Sequence, residues 1–253
     1  MSNYYHGAKA SKQATSVSTP VVADSSIHLI VGTAPVHTVG GKVNEPVYAS
    51  NYAEAVAAMG YSDEWDKYDI CEEIYSSFKL YSNGPIIMVN VLDPAKHLKG
   101  AETVEKTLAG GITELPYEAV SDTVEVKGYD GEDSLTETYT RGEDYDLFYT
   151  DGVLRLERIE SGKIKADNAR LNIKFNSVDP SKVTKKEIIG GYDTNTNKSS
   201  GFELVDSVYP KYGVIPTLFL APNFSTDSEV AAIMAAKAEN INGLFTGKAI
   251  IDA

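Results

Sequence analysis

The chain has one cysteine, Cys71, and only four histidines in 253 residues. A lone cysteine excludes an intramolecular disulfide and any multi-cysteine zinc site. His6, His28, His37 and His97 are scattered, and none has a second histidine three or four residues away with which to share a metal. Positive charge is scarce as well: 23 Lys and Arg stand against 36 Asp and Glu, a net charge of −13. Nucleic-acid binding needs a basic stripe that displaces counterions, and docking on an anionic bilayer needs the same sign of charge, so neither partner is expected. No apolar run approaches the ~18 residues of a membrane helix. Met1 to Asp24 lacks the basic-then-apolar order of a secretory signal. The sequence reads as a protein made and folded in a reducing cytoplasm.

Catalytic signatures are missing too. Gly40-Gly41-Lys42 has the flavour of a phosphate-binding loop, but the leading glycine position holds Val36 and the hydroxyl position holds Val43, which leaves a glycine turn. No G-x-G-x-x-G follows the first apolar strand, and there is no Gly-x-Ser-x-Gly elbow. Ser76-Ser77-Phe78-Lys79 spells S-x-x-K, yet Ser76 and Lys79 fit the wet side of an amphipathic helix, and Cys71 beside its apolar stripe reads as a small buried hydrophobe. The acidic groups Asp130, Glu132, Asp133 and Glu143, Asp144, Asp146 lack the EF-hand register and read as solvated loop faces. No catalytic residue, cofactor or metal site is expected.

What is present is the composition of a globular protein, 42% hydrophobic and 23% charged, with sixteen tyrosines as amphipathic contact area. Residues 1–25 are polar and read as an extended arm, in which Thr15, Val17, Thr19 and Val21 alternate as in a strand that could join a neighbour's sheet edge. An α/β pattern fills 26–100: a buried strand over Ile27–Val31, and a helix with Tyr52, Val56 and Met59 between Ser50 or Asn51 and Gly60. A second helix opens at Asp63 or Asp66 with Ile70, Ile74, Phe78 and Tyr81 in one stripe, and a central strand covers Ile86–Leu92.

From 101 to 185 short alternating segments (Thr123–Lys127, Val153–Leu156, Leu171–Phe175) lie between turn signals such as Asp151-Gly152, and all four arginines fall here. The pattern predicts an inserted small β-sandwich or β-barrel. The α/β grammar returns over 186–253: a short helix through Phe202, Val205, Val208 and Tyr209 closed by Pro210, and a strand over Val214–Ala221. A helix follows from about 228 to 241 behind Asp227 or Ser228, then a strand over Lys248–Asp252. The fold class expected is α/β, an open mixed sheet with flanking helices interrupted by the β insert. The end at Ala253, right after a strand, reads as a fold cut short.

Several segments also resemble a known family. Tyr4-Tyr5-His6-Gly7, Gly32-Thr33-Ala34-Pro35-Val36, Val43-Asn44-Glu45-Pro46 and Val89-Asn90-Val91-Leu92-Asp93-Pro94 are similar, in this order, to contractile tail sheath proteins of phages and phage-derived bacteriocins. So are Ile188-Ile189-Gly190-Gly191-Tyr192-Asp193 and Ala235-Ala236-Lys237-Ala238-Glu239-Asn240-Ile241-Asn242-Gly243. The resemblance implies a structural, non-enzymatic subunit that self-associates into hexameric rings and a helical sheath around a tail tube. Its partners would be the tube protein and baseplate components, and its arms would lend strands to neighbours. It would be found in the bacterial cytoplasm during assembly, then in a virion tail or a released bacteriocin particle. The rival reading is an α/β enzyme or ligand-binding domain with its site at the carboxyl ends of the strands, where Asp93 and Asn223 would be the residues to watch. A baseplate or tube component of the same machine is a third.

Overall fold

Leu29, Ile30 and Val31 expose no surface, because the strand that carries them runs through the middle of a five-stranded sheet. The structure, a computed structural model, describes residues 27–129 and 135–252. In chain order the first elements are β1 (His28–Gly32), β2 (Val47–Ala49), α1 (Tyr52–Met59), α2 (Asp69–Tyr75) and β3 (Ile86–Asn90). Seven strands then follow without an α-helix: β4 (Glu102–Thr107), β5 (Ile112–Glu114), β6 (Glu125–Tyr129), β7 (Leu135–Tyr139), β8 (Tyr145–Thr150), β9 (Val153–Arg158) and β10 (Arg170–Phe175). The last part comprises α3 (Lys185–Ile189), the hairpin β11 (Gly191–Asp193) and β12 (Lys198–Ser200), α4 (Val208–Tyr212), β13 (Leu218–Leu220), α5 (Ser228–Glu239) and β14 (Lys248–Ala249).

The central sheet has the order β14-β13-β1-β3-β2, parallel throughout except for the antiparallel edge β2. Leu29, Ile87 and Phe219 share one row and pack with Val230, Met234 and Ala238 of α5. Ile30 and Met88, one residue on, face the other side and pack with Ala55 and Met59 of α1 and Ile70 and Ile74 of α2. Coverage on both faces is why β1 and β3 read as unbroken apolar runs rather than alternating ones. Local signals agree with this packing. The Asn51 side chain accepts the Glu54 N–H at 3.0 Å to open α1, which ends at Gly60 with φ of 74°. Asp227 caps α5 by accepting the Glu229 N–H at 2.9 Å.

Strands β4 to β10 form two antiparallel sheets, β4-β10-β6-β7 and β5-β9-β8. The alternating residues Leu171, Ile173 and Phe175 of the first meet Leu147, Leu154 and Leu156 of the second in one core, so this part is a β-sandwich rather than a closed barrel. Asp151 and Gly152 make the β8–β9 turn with φ of 51° and 79°, the doubly left-handed turn that suits a two-residue hairpin. The expected α/β class with an interposed β-rich region is therefore the one observed.

Some expectations shift. The second helix starts at Asp69, not Asp63 or Asp66, because the Ile70 N–H donates to Thr33 O at 3.1 Å instead of to a carbonyl one turn earlier. After α2 a π-type turn, Ser76–Leu80, inserts an extra residue, and Tyr81 leaves the apolar stripe and stands 76% exposed. Pro210 does not close its helix: it occupies the first turn of α4, where its missing N–H is harmless, and Gly213 ends the helix with φ of 71°. The strand over Val214–Ala221 shrinks to Leu218–Leu220, since Pro216 cannot donate to a ladder, and Lys248–Asp252 pairs only at Lys248–Ala249. Asp144 is not a solvated loop carboxylate. It is buried and accepts the N–H groups of Thr140 and Lys163, each at 2.8 Å, bonds that hold it below the usual carboxylate range.

Candidate functional site

In an open parallel sheet a ligand normally sits beyond the carboxyl ends of the strands, where the connections leave in opposite directions. Here that position is the end of β1, which lies between β13 and β3. The loop that leaves it, Thr33-Ala34-Pro35, is tied down by two buried side chains. Asp69 accepts the Thr33 N–H at 2.6 Å, and the Thr33 hydroxyl donates to Lys67 O at 2.9 Å. Asn90, at the end of β3, accepts the N–H groups of Ala34 (2.9 Å) and Leu92 (3.1 Å) through Oδ1 and donates to Leu92 O at 2.9 Å through Nδ2. Gly32 is required beneath this bracket, because a Cβ there would lie 2.1 Å from Asp69 Oδ1. Burial pushes the Asp69 carboxyl up to about 7, against the downward pull of the Thr33 hydrogen bonds.

Neither Asp69 nor Asn90 is among the residues expected from sequence. Asn90 carried a signal, a polar residue set inside an otherwise apolar run, whereas Asp69, the first residue of α2 among charged neighbours, carried only that of a helix start. Asp93 and Asn223 do follow β3 and β13, yet the structure does not bring them together. Asp93 lines an open polar groove of about 810 Å³ with His97, Lys186 and Tyr192, whereas Asn223 lines a separate cleft of about 250 Å³ with Asp69, Lys99 and Asp179. Asp93 accepts the Ala95 N–H at 2.9 Å and pairs with Lys96 at 3.2 Å, and Asn223 occupies a left-handed turn with φ of 64°. These are turn-forming roles. Cys71 is buried and its thiol is pushed up to about 12 by that burial. Ser77 donates to Glu73 at 2.6 Å on the helix itself. Among the described residues no group of three or more His, Cys, Asp or Glu could hold a metal ion, and no helix is long and apolar enough to cross a membrane.

Two other places carry exposed chemistry suited to protein contact. The outer edge of β14 pairs with no strand among the described residues, and Leu244 (79% exposed), Ile250 and Ile251 stand beside it. The second is the junction between the α/β layer and the sandwich. The Tyr117 hydroxyl donates to Tyr61 O at 2.8 Å, and Lys67 pairs with Glu118 at 3.0 Å. Burial works against the Glu118 charge, but Lys67, a backbone hydrogen bond and the charge of Lys99 together outweigh it and hold this carboxyl below its ordinary range. The Lys99 N–H donates to Ser177 O at 2.8 Å, so the strands that enter and leave the sandwich run side by side. The arm residues Thr15, Val17, Thr19 and Val21 lie outside the described residues.

No protein-family model matches the chain. A curated relative does: the tail sheath protein of Burkholderia phage BcepMu is 28% identical over 253 residues, covering 99% of this chain and 49% of the relative. The chain thus spans about half the length of the curated relative it matches. Along nearly its whole length, this protein is similar to a phage tail sheath protein, as the order of its motifs led us to expect.

Proposed function

We propose that the chain is a structural subunit of a contractile tail sheath, which polymerises as stacked hexameric rings around a tail tube and contracts by rearrangement of its subunits. The observation that carries this reading is the similarity to a tail sheath protein over 99% of the chain. The partners it entails are further copies of the chain, a tube protein and baseplate components, with no nucleic acid, membrane, cofactor or catalysis. Assembly would take place in the bacterial cytoplasm and the product would be a virion tail or a released bacteriocin particle.

The geometry is in keeping with this. At the carboxyl end of β1, where an α/β enzyme would hold its ligand, the loop N–H groups are already taken by Asp69 and Asn90, while the outer edge of β14 pairs with no strand among the described residues. We assign residues 1–25 to an arm whose Thr15, Val17, Thr19 and Val21 pair with a neighbouring subunit. Residues 101–185 are assigned to an insert between the two core parts 26–100 and 186–253. Negative-stain microscopy of the complete gene product, mixed with tail tubes, tests the reading. Rings or tubular polymers are expected. Particles that stay monomeric on tubes, and bind a small ligand lost on mutating Asp93 or Asn223, would favour the enzyme reading instead.

A further inference from the structure

His37 lies in the short 3-10 turn Val36–Thr38 on the α/β side of the junction and is 8% exposed. Two tyrosines of the β-rich region enclose it: Tyr117 at 5.9 Å between ring centroids and Tyr149 at 6.1 Å, both nearly perpendicular to the imidazole. Nε2 stands 3.0 Å from the Tyr117 carbonyl oxygen, which can only accept, so Nε2 carries the hydrogen and Nδ1 carries the lone pair. Nδ1 is buried and has no hydrogen-bond partner among the described residues. A second proton can therefore enter only at Nδ1, where no acceptor receives it.

We propose that His37 is a proton-sensitive latch between the α/β layer and the β-sandwich: when neutral it lets Tyr117 and Tyr149 close over it, and when protonated it drives them off.

The surroundings offer little to offset a cation. From the segment after β5 come Tyr117 and Glu118, and the Glu118 carboxylate is already paired with Lys67 at 3.0 Å. From β8 comes Tyr149, whose hydroxyl donates to Ala119 O at 2.9 Å. Tyr68 packs on Tyr117 from the approach to α2. Burial pushes all three phenols upward, so they stay neutral across the acid range. Burial likewise lowers His37 from its ordinary 6.5, with the Tyr117 carbonyl and Glu118 working against it. The closed form then holds fewer protons than the open one. Acidification below 6.5 favours opening, by at most tenfold per pH unit for one proton.

The test is a distance measurement on the full chain. Ala57 on α1 and Glu157 on β9 are exposed, and A57C/E157C can carry spin labels, because Cys71 is buried and its thiol pushed up to about 12. A single distance is expected from pH 8 to 7, with a longer one growing in below 6.5. H37Q, which keeps an N–H donor for Tyr117 O but does not titrate, should hold the short distance down to pH 5, while H97Q should behave as the parent. Parallel pH profiles for H37Q and the parent overturn the latch, and so does a single distance in the parent throughout. Should H37Q fail to fold, the His37 ring resonances decide the matter in the parent: their midpoint must coincide with that of the distance change, and separate midpoints refute the proposal.

Discussion

Replacing Asp69 with asparagine tests whether the bracket at the end of β1 holds an ionised acid in a place that disfavours it. The carboxyl is fully buried and pushed from its ordinary 3.8 up to about 7. Between those two values the native state binds the proton and the unfolded chain has lost it. Stability therefore falls as pH rises from ~4 to ~7 and levels off above. A displacement of about three pH units at ~1.4 kcal/mol each corresponds to ~4 kcal/mol of destabilisation at pH 8. D69N keeps an oxygen for the Thr33 N–H and removes the charge. Its new N–H2 group needs an acceptor in a dry site, at ~1–3 kcal/mol if it finds none. The net expectation is a gain of ~1–3 kcal/mol over wild type at pH 8, which shrinks as the pH is lowered and reverses sign by pH ~4, where little of the wild-type penalty is left because the unfolded carboxyl is taking up its proton too. Urea unfolding at both pH values, followed by circular dichroism, measures it. If the two proteins show the same pH dependence, Asp69 is not the buried acid inferred here.

Three other outcomes follow from the same contacts. V17P in the complete protein should leave monomer melting unchanged and reduce polymerisation on tail tubes, since proline cannot donate to a strand ladder; sheath formation at the wild-type rate would remove the arm from the mechanism. Joining Lys99 to Ser177 through a short Gly/Ser turn, which spares buried Val183 and the Thr184 cap of α3, should leave a core that unfolds cooperatively in calorimetry. A broad, non-cooperative transition would mean that the sandwich is part of the same folding unit. N51A removes the oxygen that holds the Glu54 N–H and should cost ~1 kcal/mol in chemical denaturation; no measurable loss would place the start of α1 under tertiary control.

The elements legible from sequence are those whose signals are local. Asn51 and Gly60 bracket α1 by capping and by left-handed backbone, and both act within one turn of the chain. Strands β1 and β3 are legible because burial on both faces leaves no polar residue between the apolar ones, apart from Asn90. Boundaries set by distant partners were not legible. Asp69 begins α2 because Thr33, 36 residues away, supplies both a donor to its carboxylate and an acceptor to the Ile70 N–H. The extra residue of the π-type turn, which turns Tyr81 outward, leaves no mark in an apolar stripe of regular spacing. For the same reason the bracketing side chains were missed. Asp69 and Asn90 gain their roles only when β1, β3 and α2 come together, and a single sequence records one as an acid among charged neighbours and the other as one polar residue in an apolar run.

That bracket bears on what kind of protein can use this fold. In a ligand-binding α/β sheet, free N–H groups just beyond β1 would face the crevice. Here the N–H groups of Thr33 and Ala34 are already taken by Asp69 and Asn90. The same bonds join β1 to α2 and to the end of β3, so the loop acts as a brace across the α/β layer. A brace limits internal change, since packed elements joined in this way tend to move as one body. Under the sheath proposal this is a useful property: contraction would displace subunits relative to one another, and the work would be lost if each core deformed instead. The places left to yield are then the strand edges and the junction at Tyr117. There aromatic packing of Tyr117 is joined by polar contacts between the two layers, and the His37 imidazole among them has a nitrogen with no hydrogen-bond partner among the described residues.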